Sequence, residues 1–180
     1  MIAVIGWGSL IWEPKTLEVT PLWRTDGPGL PVEFARVSSR NRLTLVLIDS
    51  APLQPTLWAL SRKASLAEAI RNLAEREGTS EFNIGSWPCQ DTRGELKRRV
   101  VSIVADWARG RMLDGVVWTA LGPKKPNGEN GLGTDQEFME YLRELVKDGN
   151  AAAAKEYVEK APSQIRTPLR SRIGQEFGWS

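Results

Sequence analysis

Short apolar runs typical of β-strands dominate the first third of the chain. These runs cover residues 2–5, 32–38, 43–48 and 56–60. Runs of four to eight residues with alternating or continuous apolar character predict strands. Residues 97–107 and 115–121 are rich in β-branched side chains and tryptophan, so they predict two more strands.

One helix is predicted among these strands. Ser65 and Glu68 have the spacing of a capping box, in which the two side chains bond free backbone N–H groups at a helix start. Apolar positions then recur with helical period up to Glu77, and Gly78 is a typical helix terminator. The sequence therefore predicts a helix that ends at Glu77.

The last third of the chain is predicted to be helical after a long loop. Residues 122–133 are rich in glycine, proline and asparagine, a composition typical of loops. Thr134 and Glu137 form a second capping box, and Asn150 is expected to cap an alanine-rich helix. The helices are predicted over residues 134–147, 150–160 and 163–172. Strands first and helices last predict one α+β domain over residues 1–180, built on a mixed sheet or a small barrel.

Composition narrows the class of protein further. The chain has 180 residues, of which 41% are hydrophobic and 26% are charged, values ordinary for a globular domain. No apolar run reaches the roughly 18 residues that a membrane span requires, and no secretory signal precedes the first strand. A net charge of +2 is too small to indicate nucleic acid. We therefore expect a cytoplasmic protein with a small-molecule partner and neither a membrane nor a nucleic-acid partner.

The chain contains no histidine and one cysteine, Cys89. This excludes Ser-His-Asp and Cys-His catalysis, a disulfide framework and most transition-metal sites, so no metal is expected. Proton transfer near neutral pH must then use a carboxylate, a lysine, a tyrosine or Cys89. An enzyme that uses the Cys89 thiol is disfavoured, because no histidine stands beside it to activate the sulfur.

One carboxylate lies on the apolar side of the predicted helix. Leu66, Ile70, Leu73 and Glu77 share one helical stripe. Partial burial and the negative end of the helix dipole are both expected to raise the pKa of Glu77, which suits a general acid and base. The alternative is structural: Glu77 reaches water at the fraying helix end or pairs with Arg76.

A glycine-bearing turn follows the first strand. Residues 6–8, Gly-Trp-Gly, look like the start of a dinucleotide-binding fingerprint, but Ile11 occupies the position of the third glycine. Residues 12–14, Trp-Glu-Pro, also prevent the phosphate-binding helix that such a fingerprint opens. Two interpretations remain, a tight turn or a loop whose successive N–H groups bind an anion or an oxyanion.

Two of these segments resemble one known superfamily. Residues 4–14, VIGWGSLIWEP, are similar to the Tyr-Gly-Ser-Leu-Ile-Trp signature of γ-glutamylcyclotransferases, closest to the ChaC branch. Residues 73–78, LAEREG, resemble the segment that bears the catalytic glutamate of the family, which places that glutamate on Glu77. Less specific similarity covers residues 34–38, 42–45 and 140–142.

The resemblance implies a fold, a reaction and a set of site residues. The fold is a small mixed β-barrel of five to seven strands with surrounding helices, and no cofactor is expected. The reaction is the cyclisation of a γ-glutamyl amide or peptide to 5-oxoproline with release of the amine, a lyase-type cleavage belonging to glutathione metabolism. The residues expected to bind the substrate are Trp7, Gly8, Ser9, Leu10, Arg36 and Arg40. The first four map onto the loop of the family, and Arg36 or Arg40 is expected to hold a substrate carboxylate unless both are surface arginines.

The chain also departs from the family pattern. Trp7 stands where the family has a tyrosine, and Phe82 replaces a tyrosine that often follows the catalytic glutamate. Residues 39–42 replace the Asp-His-Arg-Gly-Thr stretch of the glutathione-specific branch. These changes concern the identity of the γ-glutamyl substrate more than the chemistry. They also leave open the alternative of a non-catalytic small-molecule binding module on the same fold.

Overall fold

A computed structural model describes residues 1–89 and 93–179 of the chain. Two compact units are formed, the first by Met1–Leu30 with Pro55–Leu121 and the second by Pro31–Gln54 with Gly122–Ser180. The described residues contain seven strands and five helices, which confirms the α+β class. A single domain over the whole chain stays a prediction.

The strands pair in two sheets, and the predicted closed barrel is not confirmed. The strands are β1 (Ile2–Gly6), β2 (Gly29–Val37), β3 (Leu43–Leu47), β4 (Leu53–Pro55), β5 (Leu57–Leu60), β6 (Ile84–Trp87) and β7 (Gly115–Thr119). The four-stranded sheet has the order β5-β1-β7-β6, and the three-stranded sheet has the order β3-β2-β4. In the larger sheet β1 is antiparallel to β5 and parallel to β7, so the sheet is mixed.

Five helices accompany the sheets. They are α1 (Leu66–Glu77), α2 (Glu95–Arg109), α3 (Asp135–Lys147), α4 (Ala152–Lys160) and α5 (Pro168–Phe177). Both predicted capping boxes are present, Ser65 with Glu68 at α1 and Thr134 with Glu137 at α3. Gly78 ends α1 with a φ of 63°, a left-handed conformation that glycine adopts without steric cost.

The strand predicted over residues 97–107 is wrong, because this stretch lies in α2. Its buried residues Val100, Val104 and Ala108 recur every fourth position, which is the period of a helix face. The β-branched side chains of the stretch favoured a strand, but the burial of one helical stripe outweighs that local preference. The short strands β4 and β6 were not predicted.

Two helix starts in the last third of the chain also differ from the prediction. Asn150 does not cap α4, because its amide donates to the carbonyl of Leu145 and so completes the end of α3. The last helix starts at Pro168 rather than near Ser163, and the Thr167 side chain accepts a hydrogen bond from the amide of Arg170. Proline at a first helical position loses no hydrogen bond there.

Helix α1 packs on the larger sheet through one apolar cluster. The cluster contains Ile2, Val4, Leu10, Leu17, Ala69, Leu73, Ala74, Ile84 and Val117. Leu73 is fully buried, and the predicted stripe residues Leu66 and Ile70 are partly buried against the same cluster. This packing fixes the end of α1, and hence Glu77, relative to β1 and β7.

None of the helices in residues 1–89 and 93–179 has both the length and the apolar content needed to cross a lipid bilayer.

Glu33 of β2 is a partly buried carboxyl group in the second unit. Its Oε1 accepts from the Phe34 amide at 2.8 Å, and its Oε2 accepts from the Leu169 amide at 3.4 Å, at the start of α5. Burial raises the pKa of Glu33 above its usual value, although these amides and the Thr167 hydroxyl oppose the rise. At pH values above this raised pKa, Glu33 is charged in the folded protein, and its burial then lowers the free energy of unfolding.

We expect Gly85→Ala to destabilise the larger sheet. A Cβ at Gly85 would lie 2.2 Å from the buried indole of Trp118, which has no room to move. Overpacking of this kind costs about 1–3 kcal/mol of unfolding free energy, measured by urea denaturation. Gly122→Ala is the control, because a Cβ there meets nothing within 4 Å. An equal loss in the two variants would contradict the packing.

We expect Glu33→Gln to change how stability depends on pH. A carboxyl group whose pKa is higher in the folded than in the unfolded state binds protons more readily when folded. Wild-type stability therefore falls as pH rises from the unfolded-state pKa to the folded-state pKa. The glutamine variant lacks this loss, so the urea midpoint of the variant should rise relative to that of wild type as pH increases above the ordinary carboxyl pKa of about 4.3. Exposed Glu144→Gln should show no such relative rise, and a Glu33→Gln difference that does not change with pH above this value would refute the interpretation.

Candidate active site

The predicted loop and the end of β7 lie at one edge of the larger sheet. Ile2 to Ile5 of β1 run parallel to Gly115 to Trp118 of β7 in direct register. The carboxyl ends of parallel strands lie at the same sheet edge, where loops commonly build binding sites. Ser9 follows the end of β1, and Thr119 is the last residue of β7. The sheet therefore brings two distant parts of the sequence to one place.

Glu77 reaches this edge from the end of α1. Its side chain is 16% exposed, and its Oε1 accepts hydrogen bonds from Arg76 Nη1 at 3.0 Å and from Thr119 Oγ1 at 3.1 Å. Its Oε2 accepts no hydrogen bond from any described residue. The carboxylate is thus mostly buried and fixed through one oxygen, while the other oxygen is left for a further partner.

Arg76 connects Glu77 to the loop after β1. Its side chain is 4% exposed, and its Nη2 donates to Ser9 Oγ at 3.1 Å and to the carbonyl of Glu13 at 2.6 Å. One guanidinium therefore contacts both segments that carry the family resemblance. The Arg76 Nε–H is buried and donates to no group in the described part of the chain, an arrangement that costs free energy.

Two carbonyl groups of the loop after β1 accept backbone hydrogen bonds from within the loop. The Gly8 carbonyl accepts from the Ile11 amide at 3.1 Å, and the Ser9 carbonyl accepts from the Glu13 amide at 2.9 Å. The amides of Gly8, Ser9 and Leu10 donate no hydrogen bond to any residue that the structure describes. Three successive amides without an internal acceptor can bind an anionic or carbonyl oxygen.

One aromatic and one aliphatic side chain anchor the loop. Trp7 and Leu10 are both buried, and Leu10 belongs to the apolar cluster beneath α1. Leu10 can therefore bind a ligand only through its backbone. Burial of these two side chains anchors the loop on either side of Gly8 and Ser9.

The two predicted arginines lie in the second unit. Arg36 in β2 donates from Nη1 to the Gly122 carbonyl at 2.8 Å, and Arg40 is exposed in the turn between β2 and β3. Their role in binding a substrate carboxylate stays a prediction. Phe82 is 90% exposed on a 3₁₀ turn (Glu81–Asn83).

Thr119 and the bridging role of Arg76 were not predicted. In the sequence Thr119 is only one position within the predicted strand over residues 115–121, and its importance depends on the parallel pairing of β1 with β7. Arg76 was considered only as an ion-pair partner of Glu77, and its reach to Ser9 depends on how α1 packs. No group of three histidine, cysteine, aspartate or glutamate side chains suited to a metal ion occurs within residues 1–89 and 93–179.

We expect Arg76→Met to weaken the connection between α1 and the loop. The variant keeps a long apolar stem but removes three hydrogen bonds and the partner of a mostly buried carboxylate, which costs about 1–3 kcal/mol of unfolding free energy. Hydrogen exchange of the Glu13 amide should also accelerate, because the Ser9–Glu13 turn loses its anchor. Arg71→Met is the control on the same helix, since within residues 1–89 and 93–179 the one partner of Arg71 is Glu81, and that pair is exposed. Equal effects in both variants would exclude the bridge.

Comparisons of the chain with protein-family models, with curated proteins and with solved structures found no match.

Proposed function

We propose that the protein is a γ-glutamylcyclotransferase-like enzyme that converts a γ-glutamyl amide or peptide into 5-oxoproline and a free amine. The supporting observation is the hydrogen-bonded path from Ser9 Oγ through the Arg76 guanidinium to Glu77 Oε1. Ser9 and Glu77 belong to the two segments that resemble the superfamily, and they are far apart in the sequence. Their contact through one buried cation supports the proposal, because it brings the two segments together.

The reaction is an intramolecular exchange of one C–N bond for another. The α-amine of the γ-glutamyl group attacks its own γ-carbonyl carbon and closes a five-membered lactam, and the original amide C–N bond then breaks. Holding the glutamyl chain in a folded conformation supplies much of the rate, because the two reacting groups are already joined. The enzyme must bind that conformation and move protons.

Glu77 moves the protons in this proposal. Its carboxylate accepts a proton from the attacking amine and then delivers a proton to the departing amine, so it returns to its starting state. Oε2 suits this task because Oε1 is held by Arg76 and Thr119. The free amides of Gly8, Ser9 and Leu10 bind the substrate and stabilise negative charge that develops on the γ-carbonyl oxygen.

Arg76 and Thr119 act as positioning residues. They restrict Glu77 Oε1 to one place between α1 and β7, so the direction of Oε2 is also fixed. A buried arginine with one unbonded N–H lowers stability, and a catalytic role is one of the reasons for which native proteins keep such groups. The stability that the unbonded N–H of Arg76 costs is thus consistent with a role of this residue in the reaction.

The resemblance also carries finer proposals. These are a closed barrel of five to seven strands, one catalytic domain over residues 1–180, activity without a cofactor, a cytoplasmic location and a role in glutathione metabolism. Arg36 or Arg40 is proposed to bind a carboxylate of the substrate. Trp7 and Phe82, in place of tyrosines, are expected to alter which γ-glutamyl compound is accepted.

We expect Glu77→Gln to abolish most of the activity without unfolding the protein. Glutamine keeps the size and one carbonyl oxygen but cannot exchange a proton near neutral pH, so turnover should fall about 10²–10⁴-fold. The measurement is 5-oxoproline release from γ-glutamyl dipeptides and from glutathione. Glu75→Gln is the matched control, because Glu75 is exposed on the same helix.

A non-catalytic binding module on the same fold is the second candidate. It is favoured by Phe82, whose exposed ring replaces a hydroxyl-bearing residue of the family. Wild-type protein that binds γ-glutamyl compounds in calorimetry but releases no 5-oxoproline would support this candidate. Equal turnover by wild type and Glu77→Gln would remove Glu77 from the mechanism.

A further inference from the structure

A cleft opens in the first unit among residues other than those around Glu77. Its volume is about 480 Å³, within the range of small-molecule sites. The residues that line it include Arg24, Asp26, Trp58, Leu60, Arg111 and Leu113. Two arginines and one carboxylate thus line a cleft whose walls include an indole ring and two leucines.

Asp26 is fully engaged by neighbouring donors. Its Oδ1 accepts from Trp58 Nε1 at 2.8 Å, and its Oδ2 accepts from Arg111 Nη2 at 2.8 Å. The Asp26 carbonyl also accepts from Trp107 Nε1 at 3.0 Å. The hydrogen bond from Arg111, followed by that from Trp58, lowers the pKa of Asp26, so the group stays charged at neutral pH. Asp26 therefore neutralises Arg111 and fixes the shape of the cleft.

Arg24 has no such counter-ion. The Arg24 amide donates to the Trp58 carbonyl at 2.8 Å, and the Trp58 amide donates to the Arg24 carbonyl at 3.0 Å, so the two residues are directly paired. The guanidinium carbon lies 4.7 Å from the centroid of the Trp58 ring. Among the described residues, no carboxylate pairs with this guanidinium and no acceptor receives a hydrogen bond from it.

The contact with the Trp58 ring holds the Arg24 guanidinium in place without using the hydrogen-bond donors of the guanidinium. Attraction to the ring face holds the guanidinium, while its N–H groups remain in the guanidinium plane and can bind an acceptor. A guanidinium presents two parallel N–H groups that match the two oxygens of a carboxylate or a phosphate. Trp58 is itself fixed by Asp26 and by an edge-to-face contact with Trp107 at 5.3 Å.

We propose that this cleft is a binding site for a small organic anion, a carboxylate or phosphate carried on a planar or apolar body. Arg24 binds the charged group, and Leu60, Leu113 and the indole of Trp58 contact the rest of the molecule. The cleft has two arginines and one carboxylate among these residues, so its charge favours an anion. This inference is independent of the proposed cyclisation, because no residue of the Glu77 site takes part.

The test uses three probes of similar shape and different charge: benzoate, phenyl phosphate and neutral benzamide. Isothermal titration calorimetry on the full chain should detect binding of benzoate or phenyl phosphate and weaker binding of benzamide. Comparison of the two anions tells a carboxylate site from a phosphate site. In Arg24→Gln, affinity for the preferred anion should fall about tenfold or more, because a charge-assisted hydrogen bond is lost.

Two controls locate the binding. Arg62→Gln removes an exposed arginine of the same unit and should leave the affinity unchanged. In a ¹⁵N spectrum, the Trp58 Nε1–H signal, assigned with Trp58→Phe, should shift when the anion is added. The proposal is overturned if neither anion binds at millimolar concentration, if benzamide binds as well as the anions, or if Arg24→Gln binds with wild-type affinity.

Discussion

The candidate active site depends on one buried arginine. The guanidinium of Arg76 donates to a helix side chain, a loop hydroxyl and a loop carbonyl, and few side chains other than arginine can do this in one plane. Its place in the last turn of α1 is favourable, because the carbonyl end of a helix attracts a cation. Helix, loop and carboxylate are therefore held as one body, and the position of Glu77 follows from that constraint.

Local signals in the sequence were enough to predict several elements. The capping box at Ser65 and the terminator Gly78 define both ends of α1, because hydrogen bonds within a few residues decide where a helix begins and ends. The predicted strands β1, β2, β3, β5 and β7 were likewise confirmed within a few residues. Where two local signals disagreed, as in residues 97–107, burial of a helical stripe prevailed over β-propensity. Asn150 was predicted to cap α4, because asparagine is favoured at helix starts. Its amide instead bonds to the end of the preceding helix, α3.

The site was predicted less completely than the elements. Helical period placed Glu77 beside Leu73 on the apolar side of α1, and glycine chemistry marked the loop after β1. Thr119 had no local signal, because its contact with Glu77 depends on the parallel pairing of β1 with β7. Sequence reasoning treated Arg76 as an ordinary surface partner, although its burial depends on packing that only the folded chain shows.

The parallel pairing of β1 with β7 also determines when during synthesis the sheet can be completed. During synthesis β1 is completed first, its antiparallel partner β5 follows, and its other neighbour emerges only after α1 and α2. Until then one edge of a fully apolar strand has unpaired backbone groups, a state that favours association between nascent chains. The edge of β1 that later pairs with β7 therefore has no partner while the segment between β5 and β7 is being synthesised.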